Sequence, residues 1–215
     1  GSATDPDSVV TMAFQAAWNT LCPLAATADY DDCAANPMFD RLLELDGKGG
    51  YSYRLCESFE ILNDYTTLRL HLRNDVLWHD GEPFDADDVI FTYKLYSSAD
   101  LVTSRRLFLQ GVDGCEESGV ELEPGSVHVE KVDEYTVDVY YSQPKSEVAM
   151  FAWNMYFTIL PEHLLADKDP ATILEDDFWV SPIGTGPYKF ESQVPGESVT
   201  YVANEDYYLG APKIG

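Results

Sequence analysis

The segment Leu72-Arg-Asn-Asp-Val-Leu-Trp-His-Asp-Gly-Glu-Pro-Phe-Asp-Ala-Asp-Asp-Val-Ile-Phe-Thr-Tyr93 decides the fold, because it leads a strand into a turn and the turn into a helix. The strand begins upstream. In Thr67-Leu-Arg-Leu-His-Leu-Arg73 the residues Leu68, Leu70 and Leu72 share one face, and Arg69, His71 and Arg73 the other. Side chains two apart on a strand point the same way, so this alternation predicts a half-buried antiparallel strand. His79-Asp80-Gly81 is a turn, in which glycine supplies backbone freedom and the aspartate bonds the following amides. Trp78 and Phe84 are expected to cover the core on either side of it. A helix is predicted over Ala86–Ser97, with Ala86, Val89, Ile90 and Tyr93 at the i, i+3, i+4, i+7 spacing of a core-facing stripe. Asp85 fits its N-cap. Asp87 and Asp88 suit the positive end of the helix dipole, so this acidic cluster needs no metal to explain it.

Outward from this segment, the chain reads as a mixture of strands and short helices. Ser126–Val132 and Thr136–Tyr141 alternate and are joined by Asp133-Glu134-Tyr135, as in a hairpin. Tyr188–Val194 and Ser198–Ala203, joined through Pro195-Gly196-Glu197, repeat the arrangement. Toward the amino terminus, Val9–Phe14 is a β-branched, apolar run expected as a buried strand, followed by a polar and aromatic turn, Gln15–Thr20. Pro37–Leu45 is expected as a helix, with Met38, Leu42 and Leu45 on one face and Pro37 at its first position. Residues 1–8 read as an expression remnant and a disordered start.

Composition narrows the function classes. The chain has 215 residues, 45% hydrophobic, enough to bury a sizeable core. Its 38 acidic and 13 basic residues give a formal charge of −25, which repels a phosphate backbone and argues against nucleic acid as a partner. No apolar run approaches the roughly 20 residues needed to span a membrane. Cys22, Cys33, Cys56 and Cys115 form no Cys-x-x-Cys pair and lack structural zinc spacing, and both disulfides and free thiols remain open for them. His71, His79, His128 and His163 are dispersed, without an HExxH pair or a Gly-x-Ser-x-Gly elbow, so no catalytic residue, metal or cofactor is expected. The pairs Asp31/Asp32, Asp87/Asp88 and Asp176/Asp177 read as surface carboxylates. Gly184-Thr-Gly-Pro187 is a tight loop entering a strand, and it lacks the lysine and the glycine spacing of a phosphate-binding loop.

The opening segment resembles the family 5 extracellular solute-binding proteins, the ligand-capturing components of peptide and nickel ABC importers, whose pattern LR-x-x-V-x-[FW]-H-DG-x-P it follows almost continuously. Four further stretches agree in order: Asn36-Pro-Met-Phe-Asp-Arg-Leu-Leu43, Ile159-Leu-Pro-Glu-His163, Pro182-Ile-Gly-Thr-Gly-Pro-Tyr-Lys-Phe190 and Asn204-Glu-Asp-Tyr-Tyr-Leu-Gly-Ala-Pro-Lys213. The resemblance implies a mixed α/β (α+β) fold of the periplasmic binding protein-like II type. Residues 9–45 and 167–215 would form an incomplete first-lobe core and residues 46–166 an inserted, β-rich α+β subdomain. It implies capture of an oligopeptide or similar small solute outside the cytoplasm and delivery to ABC permease subunits. The membrane would be met only through a lipid anchor or the transporter itself. A secreted hydrolase, or a sensory or interaction module built on the same lobe, is the alternative.

Three segments are expected to contact ligand. By resemblance the loop after Phe14 faces the cleft, where Trp18 could stack and Asn19 hydrogen-bond; the competing reading has Trp18 packed and Asn19 capping a turn. Arg105 and Arg106 are the only paired arginines in an acidic chain. Either holds a ligand carboxylate bidentately or pairs internally with one of the many carboxylates. Asn154 and Tyr156, in Trp153-Asn-Met-Tyr156, precede a stretch where relatives line the cleft, and core packing is their other reading.

Overall fold

Helix α1 (Asp29–Ala35) comes first, then strands β1 (Leu43–Leu45), β2 (Tyr51–Tyr53), β3 (Cys56–Leu62) and β4 (Thr67–Leu72) and helix α2 (Ala86–Ser97). A 3-10 turn at Arg105–Leu109 leads to β5 (Val129–Asp133), β6 (Thr136–Tyr140), α3 (Glu147–Asn154), α4 (Glu162–Leu165), β7 (Tyr188–Val194) and β8 (Ser198–Ala203). The computed structural model describes residues 9–13, 16–154 and 158–214, without the side chains of 151–154. Two compact units result, one made of the residues up to Asp40 with Asp75–Phe84 and Leu174–Gly215, the other of Arg41–Asn74 and Asp85–Ile173.

The second unit is built on a four-stranded antiparallel sheet in the order β3-β4-β6-β5. The leucine alternation puts Leu68, Leu70 and Leu72 on its buried face, with Val137 and Val139 of β6 beside them. Helix α2 lies against β5 and β6. Its stripe is the predicted one, with Ala86, Val89 and Tyr93 buried and Ile90 half-buried, and Leu95 and Tyr96 add to the core. On the other face of β4, Arg69 forks onto Asp138 of β6 through two bonds of 2.7 Å, which offset the cost of burying that carboxylate. The segment Ile159–Glu162 is tied to α2 by polar side chains: Thr92 Oγ1 accepts from Leu160 N at 3.0 Å, and Asp88 Oδ1 accepts from Glu162 N at 2.8 Å.

The first unit holds α1, the 77–83 turn and the β7–β8 hairpin. Trp78 and Phe84, each 1% exposed, meet edge to face with ring centroids 6.4 Å apart. Gly81 closes the turn at φ +97°, a left-handed conformation that glycine adopts freely. The hairpin has the expected limits and places Tyr188 opposite Ala203.

Two expected elements are not seen among the described residues. Pro37–Leu45 is not a helix. Leu43–Leu45 pairs with Tyr51–Tyr53, and the Pro37 and Met38 carbonyls accept bonds from Tyr188 N and Gly186 N, which removes them from any i to i+4 ladder. The helix lies earlier, at Asp29–Ala35. Nor is Val9–Phe14 a buried strand where it is described: Val9, Val10 and Met12 are 81%, 61% and 64% exposed, and Phe14 lies outside the described residues. β-Branched side chains favour a strand only where a neighbour pairs with it and covers a face, and no described strand does so here. The cysteines are free thiols: Cys22 and Cys56 are buried and their thiols pushed up to about 12 by that burial, while Cys33 is exposed.

Candidate functional site

Four of the quoted segments meet in the first unit as a single polar knot. At its centre the loop Gly184–Pro187 crosses the Pro37–Met38 backbone. Gly186 N donates to Met38 O at 2.8 Å and Tyr188 N to Pro37 O at 3.0 Å. A Cβ on Gly184 would stand 1.9 Å from Met38 O, and one on Gly186 2.6 Å from Pro37 O, so both positions exclude any side chain. His79 joins from the turn: its backbone N donates to Gly184 O at 2.9 Å, its Nδ1 accepts from Gly184 N at 3.2 Å, and its Nε2 faces Gly186 O at 3.0 Å. Those contacts require the neutral tautomer with the proton on Nε2. Burial first, and the ammonium of Lys189 after it, hold the imidazole at about 4, below its ordinary range. Asn204 completes the knot, donating from Nδ2 to Gly186 O at 3.1 Å and from its backbone to Pro187 O at 2.8 Å. Nearby, the Tyr208 hydroxyl donates to Asp40 Oδ2 at 2.9 Å, and burial raises that phenol.

A shallow cleft of about 240 Å³ opens beside the knot, lined by Trp78, His79, Asp80, Lys189, Asn204 and Asp206 among others. Lys189 Nζ donates to His79 O at 3.3 Å. The imidazole and the Asn204 amide are consumed by the scaffold. Among the described residues no group of three His, Cys, Asp or Glu side chains is placed to hold a metal ion.

Trp18, Asn19, Arg105 and Arg106 are not among the residues that line this cleft. Trp18 is 7% exposed, whereas Asn19 is exposed and its backbone N donates to Asp31 Oδ1 at 2.7 Å. Asp31 also accepts from Thr27 N at 3.1 Å and Ala28 N at 3.2 Å, which ties the Asn19–Ala28 loop to the first turn of α1. In the second unit Arg105 and Arg106 open the 3-10 turn, which packs against α3, the helix that ends at Asn154. Arg106 Nη2 donates to Ser98 O at 3.2 Å, while its Nε–H is buried with no acceptor among the described residues. Tyr156 lies outside the described residues, and only the backbone of Asn154 is described.

The carboxylate pairs are only partly surface groups. Asp31 and Asp88 are 1% and 4% exposed, because backbone N–H groups at a helix start replace their lost water. Their position at N3 of a capping arrangement is the signal that separates them from Asp32 and Asp87.

The marked residues of the knot are spent on holding its loops in place. Residues 50–215 match the family model for bacterial extracellular solute-binding proteins, family 5, middle region. The chain belongs to that family. A Brucella ovis protein described as a candidate ABC transporter peptide-binding protein is 33% identical over 161 residues, 74% of this chain and 27% of its own length. The structure of the oligopeptide-binding protein AppA of Bacillus subtilis, in complex with a nonapeptide, superposes with a TM-score of 0.77 at 27% identity, over 89% of this chain and 35% of that one. NikZ of Campylobacter jejuni, in complex with Ni(L-His), gives 0.72 at 30% identity, over 88% and 34%. The fold is therefore that of periplasmic binding protein-like II structures over part of their length, and the chain spans about a third of the relatives it matches. No described helix is long and apolar enough to cross a membrane.

Proposed function

We propose that this chain forms part of the extracytoplasmic solute-binding component of an ABC importer, which captures an oligopeptide or similar small solute between two lobes and passes it to the permease. The family membership of residues 50–215 carries this reading. In it, residues 9–45 and 167–215 belong to the core of one lobe, residues 46–166 to a subdomain inserted in it, and a lipid anchor or the transporter provides any attachment to the membrane. Trp18, Asn19, Arg105, Arg106, Asn154 and Tyr156 are the proposed ligand residues.

Arg106 gives the proposal its sharpest edge. Among the described residues it makes no ion pair, although the chain has 38 acidic side chains, and its buried Nε–H finds no acceptor. A buried donor without a partner costs roughly 1–3 kcal/mol, a debt that a ligand carboxylate would cancel. The test is calorimetric titration of the natively purified protein with a mixed-sequence nonapeptide and with its C-terminal amide. The expected result is tighter binding of the free acid by about 10-fold or more, a preference that Arg106→Gln removes. Failure to bind peptides, sugars or chelated nickel alike would count against solute capture. Equal weakening of acid and amide would instead remove Arg106 from the site.

A further inference from the structure

We propose that His79 is an acid-released latch: protonation of its imidazole opens the knot of the first unit while the sheet of the second unit stays formed. The inference is independent of any ligand.

The geometry makes the latch binary. Nδ1 accepts from Gly184 N, so that atom must be bare, and Nε2 must carry the proton it directs at Gly186 O. A second proton can go only on Nδ1, which turns an acceptor facing an amide N–H into a donor facing a donor. No rotation of the ring relieves this, because both ring nitrogens are then donors while the loop offers one N–H and one carbonyl. The loop amides are shared with the rest of the knot. Gly186 O also serves Asn204 Nδ2, Gly186 N is bonded to Met38 O, and Tyr188 N to Pro37 O. Losing the imidazole therefore loosens the crossing at Pro37–Met38 and the seat of Asn204 together, since each depends on where the 184–187 backbone lies.

The surrounding charges set when this happens. Asp80, next in the turn, favours the imidazolium, whereas Lys189, which reaches across from β7 to His79 O, opposes it. Asp206 lines the same cleft from beyond β8. Burial outweighs both the Gly186 carbonyl and the aspartate, which favour the charged ring, and holds the imidazole at about 4, well below a solvated histidine.

The experiment is an NMR titration of the 215-residue chain from pH 7 to pH 3.5, following the His79 ring nitrogens and the amides of Gly184, Gly186, Tyr188 and Asn204. At neutral pH the expected tautomer has a bare Nδ1. As His79 takes up its proton near pH 4, the four amides move together and lose protection, and those of Thr67–Leu72 do not. His79→Gln, which keeps one acceptor and one donor but cannot titrate, removes the step. The proposal is overturned if the knot amides stay silent while His79 protonates, or if His79→Gln shows the same step. Should that variant not fold, the wild-type titration alone decides, because co-titration of ring and amides is required and its absence is fatal.

Discussion

Gly184 illustrates how one residue type can be fixed by a backbone 146 positions away in sequence, at Met38. Its φ lies outside the left-handed region, so the conformation itself is open to alanine. Space is the whole constraint: an added methyl would sit 1.9 Å from a carbonyl oxygen that belongs to the main chain and cannot swing aside. Gly184→Ala is therefore expected to lower stability by roughly 1–3 kcal/mol, the range of overpacked sites, as measured by urea denaturation. The sequence marks Gly184 only as part of a tight loop. Asp31 and Asp88 were equally hidden, since an aspartate beside an aspartate reads as solvated surface, and only the position of each at a helix start distinguishes the buried member.

At the level of elements, α2 matters through its first turn. Asp85 caps it, accepting from Asp87 N at 2.7 Å, and Asp88 returns a bond to Asp85 N at 3.1 Å. Asp88 has a second duty that Asp85 lacks, holding Glu162 N at the start of α4. Removing the two carboxylates should thus cost different amounts. Asp85→Ala is expected to cost about 1 kcal/mol, the usual value of a cap. Asp88→Ala leaves two N–H groups without acceptors and should cost roughly 2–4 kcal/mol, both read from chemical denaturation followed by far-UV circular dichroism. Elements with a local signature were legible in advance: α2 has the predicted limits Ala86–Ser97, and the β7–β8 hairpin the predicted strands. Pro37–Leu45 misled because a leucine spacing compatible with a helix also serves a chain whose carbonyls are taken by a distant loop. The knot was legible only as separate turns. Nothing in the spacing of residues 38, 79, 186 and 204 announces that they share hydrogen bonds.

For the whole molecule the relevant quantity is how stability follows pH, where two effects of opposite sign compete. A net charge of −25 repels itself, and falling pH relieves that repulsion as carboxylates protonate. His79 acts the other way. Its folded value near 4 lies below its unfolded value of 6.5, so between those limits the unfolded chain binds more protons than the folded one. Its contribution is accordingly complete above pH 6.5 and is lost progressively as pH falls toward 4, below which both states are protonated and nothing further changes. The depressed imidazole corresponds to roughly 3 kcal/mol across the window, at 1.36 kcal/mol per pH unit. Subtraction separates the two effects, because His79→Gln retains every carboxylate. The difference in unfolding free energy between wild type and variant, measured in urea at intervals from pH 4 to pH 7.5, should rise with pH and level off near neutrality. A difference that is flat across that range would mean the imidazole is as easily protonated in the folded chain as in the unfolded one, against its burial and the amide of Gly184 that faces its bare Nδ1.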